Sequence, residues 1–198
     1  MATTATLSHA FLGQDSLIKK VGLALGGAIL IAIAAQLSIG YPVPISLQTL
    51  AILMVGFTLG GRLALASMLT YVGMGAMGLP VFSNGMAAAA LIGPTAGFIY
   101  SFIFMGWAAG VASDRGIKTF LPVTIVGLIL SAAIYVLGVA WPMYIAGTFG
   151  IEAKWVGSSA DTIWTYWVSP FILGDIIKTV IAAMLVTGGW AALKSRKG

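Results

Sequence analysis

Long apolar stretches alternate with short glycine-, proline- or charge-bearing connections along nearly the whole chain. The first stretch runs from Val21 to Ile39, broken only by Gln36 and Ser38 and preceded by Lys19 and Lys20. A second contains Leu50 to Leu59 and ends in Gly60-Gly61-Arg62, a connection with room only for a tight turn. The third runs from Leu63 to Leu79 and meets Pro80, which lacks the N–H that a helix interior needs. Leu91 to Ala112 ends at Asp114, Arg115 and Lys118, Phe120 to Trp141 meets Pro142, and Trp164 to Leu193 ends in Lys194, Ser195, Arg196 and Lys197. A membrane-crossing helix needs about 20 mainly apolar residues. The pattern therefore predicts an all-α integral membrane protein, one domain over 1–198. Its helices fall at about 17–38, 46–60, 62–79, 91–113, 119–141 and 164–193, behind a polar leader at 1–16.

Composition supports this reading and removes others. Hydrophobic residues make up 60% and charged residues 8%, with a mean hydropathy of +1.04, against about 25% charged residues in a soluble domain. The net charge of +5 does not mark a nucleic-acid protein, because the basic residues stand singly or in short groups at the ends of apolar runs. With a cytoplasmic N-terminus, the inner connections hold eight basic residues, Lys19, Lys20, Arg62, Arg115, Lys118, Lys194, Arg196 and Lys197, and the outer ones hold Lys154 alone. That asymmetry predicts both termini inside (N-in/C-in), and six crossings return the chain to its starting side. Lys19-Lys20 and Ala32-Ile33-Ala34 imitate a signal peptide, but the long leader and the apolar run past Ala34 argue for a retained helix. Cysteine is absent and His9 is the one histidine, which leaves no set of ligands for a metal.

Four polar residues interrupt this background. Asp175 and Lys178 stand in an apolar helix at i,i+3 and project from one face. At 1.5 Å per residue from Trp167 they lie about 12 and 16 Å along it, well inside the hydrocarbon layer. A charge at that depth costs on the order of 3 kcal/mol and must face the bundle or a wet cavity; it marks a functional site unless the pair only locks helices together. Asn84, the one asparagine, follows Phe82-Ser83 in an uncharged outer connection, where Asn-Gly also reads as a plain turn. Gln48 follows Pro42-Val43-Pro44 at the start of the second helix, where a local bond to backbone would equally account for it. Small residues recur four apart as Ala24, Ala28 and Ala32, and as Gly22/Gly26, Gly56/Gly60, Gly93/Gly97 and Gly106/Gly110. Such stripes let helices approach closely in lipid, mostly within a bundle; the stripe on the first helix is the best candidate for contact with another subunit.

Several chemistries drop out. Gly73, Gly75 and Gly78 fit G-x-G-x-x-G but lead into Leu79-Pro80 without strand, helix or acid in the places a dinucleotide site requires. A membrane-embedded enzyme lacks a second intramembrane carboxylate, cysteine or histidine to work with Asp175. A channel lacks the ring of repeated polar groups that a filter needs.

Five ordered segments carry a resemblance: Pro44-Ile45-Ser46-Leu47-Gln48-Thr49-Leu50; Gly60-x-Arg62; Gly78-Leu79-Pro80-Val81-Phe82; Gly93-Pro94-Thr95-Ala96-Gly97-Phe98; and Gly174-Asp175-x-x-Lys178. Together they resemble the biotin transporter BioY family, the substrate-binding S components of energy-coupling factor transporters. The resemblance implies an S-component bundle in the cytoplasmic membrane, with biotin held under the outer connections. Its partners would be one transmembrane T component and two cytoplasmic ATPases, and no cofactor is implied. It places ligand binding on Asn84, Asp175 and Lys178, and the Ala-x-x-x-Ala docking stripe on Ala24, Ala28 and Ala32. Biotin offers two ureido N–H donors, a carbonyl, an apolar chain and a carboxylate; Asp175 can accept, Lys178 can donate, and the amides of Asn84 and Gln48 can do both. An S component or small carrier for another vitamin is the alternative. Without a Walker A pattern, the chain must draw on a partner for any ATP-driven step.

Overall fold

The computed structural model describes Thr6 and residues 16–40 and 43–195. Most of the polar leader, with His9, and Pro42, Arg196 and Lys197 lie outside the described residues. Six principal helices follow one another: α1 Leu17–Gln36, α2 Gln48–Leu59, α3 Gly61–Ala76, α4 Ala96–Asp114, α5 Phe120–Ala140 and α6 Ser169–Ser195. Two short strands, β1 Ser38–Ile39 and β2 Ile45–Ser46, pair antiparallel between α1 and α2. Among the described residues, four helical stretches are long and apolar enough to cross a membrane: Leu17–Gln36, Ala96–Asp114, Phe120–Thr148 and Ala160–Ala192. The 12-residue α2 and the 16-residue α3 fall short of a full crossing.

The boundaries differ from the expected ones for local reasons. α1 ends at Gln36, not 38, because Ser38 and Ile39 enter the strand pair. α3 stops at Ala76 where Gly78, at φ +93°, lets Leu79 N–H bond back to Met74 and Gly78 N–H to Gly75, a glycine-closed helix end. α4 begins at Ala96, not 91, since Pro94 disfavours helical geometry in the residue before it; a 3-10 turn, Ala88–Leu91, fills the gap. Pro142 does not end the fifth helix. A π turn, Trp141–Ile145, widens the backbone around its ring and the helix runs on to Thr148, avoiding the clash that a tighter turn would impose. α6 is preceded by Ala160–Ile163 and a second π turn, Trp164–Val168, so the helix starts before Trp164. Ser159 caps that start by accepting from Thr162 N–H at 3.3 Å.

α2 is the central pillar, with nine of its twelve residues buried, and it packs against α1, α4 and α6. Between helices in lipid, close backbone approach replaces the hydrophobic drive of water, and the glycine pairs supply it. A Cβ on Gly56 would sit 2.8 Å from the Gly106 carbonyl oxygen, and one on Gly110 would sit 2.5 Å from the Gly61 nitrogen. The Gly60–Gly61 turn, with Gly60 at φ +82°, is held at this end by Asp114, which accepts from Gly61 N–H at 2.9 Å. Outward faces are apolar: Ile129 is 62% and Val136 71% exposed.

The alanine stripe on α1, proposed from the sequence as a docking stripe, lies mostly against the chain's own helices. Ala28 is fully covered within the chain, Ala24 is buried and Ala32 is half-buried, because this face of α1 packs on α2 and α3. The small residues that α1 leaves open are Gly22 and Gly26, with nothing within 4 Å of a Cβ on either.

Candidate functional site

At the end of the bundle opposite Gly60 and Asp114, a cavity of about 320 Å³ lies beyond the start of α2, at the small end of the range for ligand pockets. The strand pair brings Pro44 and Ser46 down onto α6, where Lys178 donates to the Ser46 carbonyl at 3.1 Å. Irregular backbone at such depth is tolerated where it is buried in protein or lines a cavity. Phe98, Phe102 and Ile99 of α4, Ile134 of α5 and Phe171 of α6 form apolar walls. Asn84, Gln48, Asp175 and Lys178, the four residues singled out from the sequence, all line this one cavity.

Asp175 and Lys178 are both buried and form an ion pair at 2.7 Å. The carboxylate also accepts from Tyr135 Oη at 2.6 Å and Thr49 Oγ1 at 3.3 Å. Three donors thus hold it, from α5, α2 and its own helix, leaving one of roughly four acceptor positions. Lys178 has three donors, of which Asp175 and the Ser46 carbonyl occupy two. The pair joins residues of one helix, so any lock it forms acts through Tyr135, Thr49 and Ser46.

Gln48 faces the cavity but is heavily engaged. Its Nε2 donates to Tyr71 Oη at 2.7 Å, while its Oε1 accepts from Ser46 at 2.8 Å and Ser83 at 2.7 Å. It ties the strand pair and the 77–95 connection to α3. Asn84 sits in the left-handed region at φ +59°, which asparagine tolerates better than most residues. Its Oδ1 accepts from Ser38 Oγ at 3.0 Å, which turns its NH₂ group into the free donor. From Met86 the chain leads into the 3-10 turn Ala88–Leu91, which closes the wall at Ala90.

Sequence reasoning missed Tyr135, Thr49 and Ser83. Tyr135 carried one usable signal: its hydroxyl lies deep in the apolar run 120–141, where an O–H needs a partner. Thr49 and Ser83 are ordinary helix and turn residues whose role appears only on folding.

The description BioY family matches residues 3–195 of the chain. The biotin transporter BioY of Rhizobium etli is 34% identical over 191 residues, covering 87% of this chain and 95% of the relative. The probable biotin transporter BioY of Pyrococcus horikoshii is 33% identical, covering 84% and 93%, and the biotin transporter BioY of Thermotoga maritima is 32% identical, covering 79% and 86%. Among solved structures, the crystal structure of the S-component for biotin from an ECF-type ABC transporter superposes with a TM-score of 0.62 at 23% identity, over 93% of this chain and 96% of that one.

Proposed function

The chain belongs to the BioY family, and on that premise we propose that it captures biotin and carries it into the cell as the S component of an energy-coupling factor transporter. It is a multi-pass membrane protein and a transport protein, not an enzyme. The observation that carries the ligand reading is the gathering of Asn84, Gln48, Asp175 and Lys178 in one apolar-walled cavity. A small monoanion with a polar head and a greasy middle suits such a site.

Biotin's only N–H donors are on its ureido ring, so that ring lies against Asp175, the acceptor of the pocket. The remaining donor of Lys178 and the NH₂ of Asn84 meet its carbonyl and carboxylate oxygens. Gln48, with its amide already bonded on three sides, shapes the wall and contributes less directly. Relatives named for biotin favour this ligand over another vitamin.

In the membrane, the six helices alternate in direction, α2 and α3 as partial spans packed within the bundle, with both termini in the cytoplasm and the cavity opening outward. The basic residues support this: Arg62, Arg115 and Lys118 cluster with the Gly60–Gly61 turn at one end, and the connections at the cavity end carry Lys154. The membrane is the cytoplasmic one. A T component and two ATPases supply the energy, and α1 offers them its Gly22/Gly26 side.

Radiolabelled biotin binding to detergent-purified protein tests the reading, with thiamine and riboflavin as competitors. Saturable binding that biotin alone displaces is the expected result; a monodisperse protein that binds no biotin would overturn it.

A further inference from the structure

We infer that Gln36, at the last turn of α1, is a positioning residue of the ligand site that acts through Asn84; the inference rests on the reading of Asn84 as a ligand donor. Gln36 does not line the cavity and its residue is exposed, so nothing about the pocket itself draws attention to it. Its amide nevertheless closes the turn that carries Asn84 from both sides. Nε2 donates to the carbonyls of Pro80 at 3.2 Å and Phe82 at 3.1 Å, while Oε1 accepts from Gly85 N–H at 3.2 Å. These bonds reach 44 to 49 residues along the chain, whereas the bond to its own helix, to Ala32, is the longest at 3.4 Å.

The chemistry selects glutamine. Two carbonyls on one side and an N–H on the other admit only one orientation of an amide, with NH₂ toward Pro80 and Phe82. A glutamate would set a carboxylate oxygen against two carbonyls, an asparagine is a methylene short, and a leucine offers neither partner. Between the clamped carbonyls and the clamped N–H stands Asn84 at φ +59°, a left-handed conformation that asparagine tolerates and that these bonds hold in place. Ser38, two residues beyond Gln36, takes the Asn84 Oδ1 and also accepts from the Asn84 N–H at 3.3 Å. The end of α1 thus fixes both the backbone and the amide plane of Asn84 where it lines the cavity.

A double-mutant cycle tests this on the full chain, reading biotin affinity and dissociation rate. Gln36→Leu should weaken biotin about tenfold, mainly through faster dissociation, in a protein that stays monodisperse. Gln36→Glu, which keeps the shape and removes the donors, should match it. In an Asn84→Ala background Gln36→Leu should cost less than twofold, whereas in a Tyr135→Phe background, which removes a donor to Asp175 and keeps the ring, its full tenfold should persist. A tenfold loss that persists beside Asn84→Ala overturns the inference while leaving the site reading intact. If Asn84→Ala alone has no effect, the ligand role of Asn84 fails and the inference falls with it. Aggregation of both Gln36 variants would assign the residue to the fold and likewise overturn the positioning role.

Discussion

Tyr135 of α5 donates its hydroxyl to Asp175 of α6 at 2.6 Å, the shortest tie between the two helices that flank the cavity. Tyr135→Phe keeps the ring, which packs edge-on against Phe98, and removes only the donor. A hydrogen bond to a charged group contributes about 1.5 to 3 kcal/mol. Part of that should appear as an affinity loss of roughly tenfold, measured by titration calorimetry with biotin. Unchanged affinity would show that the carboxylate is held well enough by Thr49 and Lys178.

The ion pair makes a sharper prediction. Asp175→Asn or Lys178→Met alone leaves a buried charge without its partner and harms fold and site together, by about 3 to 5 kcal/mol. The combined variant removes both charges, which is often neutral for stability. It should remain monodisperse by size exclusion while biotin affinity falls roughly 10²-fold or more, two charge-assisted bonds being lost. Near wild-type affinity in the folded double variant would reduce the pair to a structural tie.

On α1 the two faces should respond differently. Ala28→Leu forces three more carbons into a fully covered position and should lower the thermal midpoint, as overpacking costs about 1 to 3 kcal/mol. Gly26→Leu enters open space and should leave stability and biotin binding unchanged while reducing copurification of a T component. Full copurification with Gly26→Leu would remove that face from the docking surface.

Topology is read by labelling. Met86, 42% exposed beside Asn84, is a better probe than the buried Ser83. A cysteine placed at Met86 should react with membrane-impermeant maleimide added outside intact cells; labelling only in inverted vesicles would reverse the orientation.

Much of this site was legible because lipid makes polar residues conspicuous. Asp175 and Lys178 stand out in an apolar helix by charge, so chemistry nominates them, whereas Asn84 reads as a turn residue until the family resemblance gives it a ligand role. Tyr135 is not conspicuous, since an aromatic in a membrane helix reads as packing until Asp175 is seen opposite it. The alanine stripe on α1 is a true packing feature, but spacing cannot say whether the neighbour is α3 or another protein. Pro142 misled for a related reason: its missing N–H predicts a stop, and only the backbone shows the π turn that carries the helix past it.

The shortness of α2 has a consequence for what the transporter can hold. At 1.5 Å per residue, twelve residues reach about 18 Å, against a hydrocarbon thickness of about 30 Å. Because α1, α4 and α6 surround it, the shortfall is not made up by lipid; it becomes a chamber capped by the descending strand pair. The capacity of the protein is therefore set by the residue at which one helix begins. Adding a turn of helix before Gln48 would act as a cork, filling the space and pulling Ser46 off Lys178.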